Sequence, residues 1–140
     1  MKEKEEKLQS LYMEFQVLGQ NIKQLEEKTH ALNNQLMELT ITNQSLEDMK
    51  KIKPDTEILV PLSGGIYAKA NLKDSKNVIV NVGANTTIVK DIQSTKTLIE
   101  TQIEEVKKLQ ENLVNQMQQQ TTKAALLEQQ INEMASTLKK

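Results

Sequence analysis

Within residues 57–91 the apolar spacing changes from a helical rhythm to alternation, and the helical rhythm returns at residue 92. Few folds accept that switch in mid-chain with heptad-patterned arms of nearly equal length on either side. Two long helices flanking a compact β insert fold most simply back on each other as an antiparallel coiled coil. The insert then closes the base and the chain ends meet at the far tip. The expected fold class is α+β, a long antiparallel coiled-coil hairpin with two β-hairpins at its base. In domain terms, 1–140 is one domain, with arms at 1–53 and 92–140 and a β region at 54–91.

Starting the first heptad at Leu8, the a positions are Leu8, Phe15, Ile22, Thr29, Leu36 and Asn43. The d positions are Leu11, Leu18, Leu25, Leu32, Leu39 and Leu46, every one leucine. A seam sustained over about six heptads favours a coiled coil over an amphipathic helix lying on a globule. At about 1.5 Å per residue, a helix over 5–52 reaches on the order of 70 Å. Asn43 and Thr29 are polar at a, either tolerated hydrated defects or specifiers of register and partner. Gly19 lies off the seam and weakens the arm locally. Lys50, Lys51 and Lys53 fall in or just after the last turn, where cations suit a helix C-terminus. Pro54 then stops the helix.

In the insert, Ile58-Leu59-Val60-Pro61-Leu62 precedes the turn Ser63-Gly64-Gly65. Ile66, Ala68, Ala70 and Leu72 then alternate with Tyr67, Lys69, Asn71 and Lys73, a half-buried strand. A second turn spans Asp74 to Asn77, and Val78-Ile79-Val80-Asn81-Val82 is apolar on almost both faces. Gly83-Ala84-Asn85 is a third turn before Thr86-Thr87-Ile88-Val89-Lys90. Four short strands make two hairpins or one small meander, with Pro61 marking an edge or a bulge. About 35 residues with strands apolar on both faces need a second layer, which another subunit supplies by completing a barrel or sandwich. The insert is therefore the expected oligomerisation platform. Ser63-Gly64-Gly65 lacks the Lys-Ser/Thr ending of a phosphate loop, and no helix start follows it.

The second arm carries one row at Ile92, Ile99, Val106, Leu113, Gln120, Leu127 and Met134. The other runs Lys96, Ile103, Gln110, Met117, Ala124, Ile131 and Leu138. Eleven of these fourteen positions are apolar, and Gln110 and Gln120 loosen the middle. Antiparallel arms bring Leu8, Leu11, Tyr12, Met13 and Phe15 to the tip with Leu126, Leu127, Ile131, Met134 and Leu138. These residues either pack the last heptads together or meet apolar partners as the helix ends fray. Tyr12, Met13 and Leu126 lie off the seam and are the better candidates for capture.

Aromatics at 2% and only 4 glycines and 2 prolines exclude a large globular core and leave no pocket for catalysis. No enzyme activity, cofactor or metal site is expected. His30 is a lone surface histidine without ligand-spaced companions. Net charge of -1 with both signs interspersed gives no footprint for nucleic acid or membrane. Zero cysteines fit a reducing compartment, and a cytoplasmic location is expected. No apolar h-region follows the charged N-terminus, so no secretory signal is expected.

The central block is similar to the α-class subunits of prefoldin, of archaeal or eukaryotic type. The likeness lies in Glu57-Ile-Leu-Val-Pro-Leu62, Ser63-Gly-Gly-Ile-Tyr-Ala-Lys-Ala70, Val78-Ile-Val-Asn-Val-Gly83 and Ile88-Val-Lys-Asp91. Two hairpins, as opposed to one, place it in the α class. The resemblance implies an ATP-independent co-chaperone, in which two α and four β subunits join through a double β-barrel and project six coiled-coil tentacles. Non-native client proteins are held at the tips and passed to a group II chaperonin. It implies that residues 58–62, 66–72, 78–82 and 86–89 form the base. The oligomerisation candidates there are Ile58, Val60, Leu62, Ile66, Ala68, Ala70, Leu72, Val78, Val80, Val82 and Ile88. A coiled-coil scaffold or tether without clients is the alternative. RNA binding would need a basic stripe or stacking aromatics, which this chain lacks.

Overall fold

The computed structural model describes residues 2–138; Met1, Lys139 and Lys140 of the expected arms lie outside the described residues. Helix α1 (Lys2–Met49) is followed by strands β1 (Thr56–Ser63), β2 (Ile66–Leu72), β3 (Asn77–Gly83) and β4 (Thr86–Asp91), then helix α2 (Ile92–Leu138). The chain divides into two compact units, one of Met1–Gln35 with Val106–Lys140 and one of Leu36–Glu105.

In the first unit the helices run antiparallel, because partners fall along α2 as they rise along α1. Glu14 meets Lys123 at 3.9 Å, Thr29 meets Met117 at 3.7 Å, and Asn33 accepts a hydrogen bond from Gln110. Leu18, Leu25, Val106, Leu127 and Ile131 are its buried apolar side chains among the described residues. Each such side chain contributes roughly 1.5–3 kcal/mol of burial. Every expected seam position on both helices is buried or half-buried, while most positions between them are exposed.

In the second unit the same antiparallel sense brings Lys96 against Glu47 and the Lys50 ammonium 3.0 Å from Gln93 Oε1. Leu46 and Ile92 are buried there, as is Thr95, whose hydroxyl donates to the Asp91 carbonyl at 2.8 Å. Helix α1 ends at Met49, three residues before the expected 52. The Lys51 and Ile52 amides reach back only three residues, to Asp48 and Met49, which tightens the chain out of the α-helix before Pro54. The lysines thus follow the last turn and do not sit within it. Helix α2 starts at a true cap. Asp91 ends β4, and its carboxylate accepts the Ser94 amide at 2.9 Å, filling one of the four open donors of a helix start.

The strands form two separate two-stranded antiparallel sheets, β1 with β2 and β3 with β4, which decides for two hairpins and against a meander. Both turns have positive φ at their two central residues, as a two-residue hairpin of matching twist requires. Glycines meet this in the first turn, with Gly64 at 53° and Gly65 at 81°. In the second it falls on Ala84 at 49° and Asn85 at 60°. Each ladder slips one residue before its turn, between Pro61 and Ser63 and between Asn81 and Gly83. The bulge beside Pro61 matches the sequence expectation. The two hairpins thus share one plan, each pushing a single apolar residue, Leu62 or Val82, out of register.

Candidate functional surfaces

Strand alternation sorts the hairpin residues into faces. In the first hairpin Ile58 stands opposite Ala70 and Val60 opposite Ala68, with Thr56 opposite Leu72. Ile58, Ala68, Ala70 and Leu72 are half-buried, whereas Val60, Leu62 and Ile66 are exposed. In the second, Val80 pairs with Ile88 and Val78 with Lys90. Val78 and Val80 are half-buried, and Val82 and Ile88 are exposed.

The opposite face of the second hairpin carries two residues that fall within the expected base ranges, 78–82 and 86–89, though not among the oligomerisation candidates. Ile79 and Val89 stand directly across from each other and are 74% and 73% exposed. Leu59 and Tyr67 lie on the corresponding face of the first hairpin and are exposed as well. Their exposure agrees with the reading of Val78 to Val82 as apolar on almost both faces. A cross-strand apolar pair this open lies on a two-stranded sheet of a kind that is marginal in water when isolated.

The turn between β2 and β3 is fixed by a carboxylate. Asp74 accepts the Lys76 amide at 2.8 Å, the Asn77 amide at 3.2 Å and the Asn77 side chain at 3.1 Å. Those bonds, the Lys76 amide first, hold its carboxyl below the usual range. Hydrogen bonding from Ser94 does the same to Asp91. Glu47 is lowered chiefly by its hydrogen bond from Lys96, with the Lys50 charge adding to it.

In the first unit, the seam residues Leu8, Leu11, Phe15, Met134 and Leu138 are half-buried, and Leu127 and Ile131 are buried. Off the seam, Tyr12 is 48%, Met13 68% and Leu126 57% exposed. A groove of about 420 Å³ lined by Lys7, Leu11, Gln130, Glu133, Met134 and Thr137 opens beside the seam here. The helix pair therefore divides its apolar residues into those covered along the seam and those exposed to solvent. Among the described residues, no three His, Cys, Asp or Glu side chains gather as metal ligands. No described helix is long and apolar enough to cross a membrane.

A family model described as prefoldin subunit matches residues 18–136. The chain is similar to prefoldin subunit alpha of Methanococcus vannielii, 25% identical over 135 residues that cover 96% of this chain and 90% of that one. It is 30% identical to prefoldin subunit alpha of Methanococcus maripaludis over 116 residues, 83% of this chain and 78% of its relative. Its fold resembles the cryo-EM structure of filamentous PFD from Methanocaldococcus jannaschii. The TM-score is 0.60 at 18% identity, covering 89% of this chain and 91% of that one.

Proposed function

This chain belongs to the prefoldin family of chaperone subunits, in its α class, and from that premise we propose that it captures non-native proteins and passes them on without ATP. The hairpins of residues 54–91 are the assembly region, and 1–53 and 92–140 are the arms. β-class subunits supply the missing layers, giving a cytoplasmic particle of two α and four β chains that hands clients to a group II chaperonin. Ile79 and Val89, inside the base ranges that the resemblance implies, belong to the assembly surface together with the oligomerisation candidates.

The observation that carries the capture reading is the exposure of Tyr12, Met13 and Leu126 beside a seam that is already filled. Such residues bind apolar segments without unzipping the helices, and methionine adapts to varied shapes. Each contact is weak, and several arms on one client multiply it through effective concentration. Leu8, Leu11, Phe15, Leu127, Ile131, Met134 and Leu138 serve mainly to hold the tip together.

The test is aggregation suppression of a denatured reporter by the assembled particle. Tyr12→Ser, Met13→Ser and Leu126→Ser together weaken suppression markedly, through loss of the α arms' share of a multivalent grip, while the six-chain assembly stays intact. Full suppression by the triple variant in an intact particle sinks tip capture and leaves a scaffold or tether.

A further inference from the structure

The polar residues of the seam are not spread evenly through the first unit. Toward the chain ends, positions 8, 11, 15 and 18 on α1 and 124, 127, 131, 134 and 138 on α2 are all apolar. Farther in, Thr29, Gln110 and Gln120 interrupt the seam, and the packing there is correspondingly poor.

Gln120 Oε1 is buried with no hydrogen-bond partner. An unmet buried acceptor costs about 1–3 kcal/mol relative to a state in which water reaches it. The Thr29 hydroxyl has one proton and donates it to the Leu25 carbonyl at 2.8 Å, a back-bond that loosens and bends helices. Little remains for Met117 Sδ at 3.7 Å. Asn33 and Gln110 hydrogen-bond at the exposed rim, where a tie is worth little. The largest groove at the seam of this unit, about 620 Å³, lies in this stretch beside Thr29 and Met117, against about 420 Å³ beside Leu11 and Met134 at the end layers. Leu25 alone is buried among the described residues 22–33 and 110–122, against Leu18, Leu127 and Ile131 toward the ends.

We infer that 22–33 and 110–122 form a built-in flexion segment, where the two helices part and admit water while the apolar layers beyond it stay closed. Water satisfies Gln120 and Thr29 on opening, so parting here gains hydrogen bonds, whereas parting at the end layers only exposes apolar side chains. The end layers thus move as a closed clasp on a soft joint. The order of opening is the reverse of simple fraying, in which the chain ends separate first.

Hydrogen exchange followed by mass spectrometry on the full chain in its native assembly tests this. Amides in 22–33 and 110–122 exchange roughly tenfold or more faster than those in 11–18 and 124–131. Gln120→Leu, which removes the unmet acceptor, slows exchange across the seam in 22–29 of α1 by about tenfold. Gln120→Met does so as well if the leucine variant fails to fold. Exchange that is fastest toward the chain ends and falls steadily inward overturns the inference. So does a folded Gln120 variant that leaves α1 exchange unchanged.

Discussion

The helix seam and the hairpins are comparably apolar in sequence and meet opposite fates in the folded chain. Leu18 and Leu25 are each 7% exposed, covered by the opposing helix, whereas Ile79 and Val89 stay 74% and 73% exposed. The arms satisfy their own apolar rows, and the hairpins do not. What distinguishes them is partner supply. A second helix of this chain covers the first, while each hairpin is a separate two-stranded sheet with no third strand among the described residues. Apolar pattern alone therefore reports the need for cover, and topology decides whether the same chain provides it.

The strongest way to break this contrast is to place a charge at Ile79. Ile79→Asp buries an unpaired carboxylate in any assembled layer, an effect of about 3 kcal/mol or more. Native mass spectrometry then shows loss of the particle while circular dichroism keeps the helical signal. An intact particle removes this face from the assembly. The reciprocal change, Leu25→Ala, lowers arm stability by about 2–4 kcal/mol in urea titration and leaves assembly in place. If it dissolves the particle as thoroughly as Ile79→Asp, the two regions are not separable.

A smaller effect distinguishes the two turns. Ala84 holds a φ of 49°, where a side chain is strained by about 1–2 kcal/mol, while Gly64 fills the matching place in the first hairpin. Ala84→Gly relieves that strain against a partly offsetting entropy loss, so thermal unfolding shows a gain of about 1 kcal/mol at most. A loss of stability instead would mean that the alanine side chain is in use.

The smallest effect concerns Glu47. Its carboxyl is held low by Lys96 first and Lys50 second, so the pair stabilises the fold above the ordinary glutamate range. That contribution is lost as pH falls through the depressed value. Asp74 and Asp91 titrate in the same direction. Glu47→Gln flattens the acid limb of a melting-temperature profile slightly; a steeper limb would assign the pair the wrong sign.

The seam was legible residue by residue, because in a long helix pair the heptad alone determines which positions face inward. Even Lys96, polar on a seam row, keeps its place by pairing with Glu47. The end of α1 was less legible. Pro54 marks where a helix cannot continue, but the helix stops earlier, at Met49, through three-residue hydrogen bonds that no residue type announces. The outward hairpin face was legible only in part. The run Val78 to Val82 reads as apolar on almost both faces, but alternation ranks one face per strand, so Ile79, Val89 and Leu59 stayed inside the expected base ranges without being singled out. Tyr12, Met13 and Leu126 were separable from the seam at once, since they break its spacing.

The most direct test is native mass spectrometry of the chain purified from its own cells. A six-chain particle with two copies of this subunit and four β-class chains is the expected result. A monomer or a lone homodimer, with Ile79 and Val89 still open to solvent, would contradict the claim that partner chains cover what this chain leaves bare.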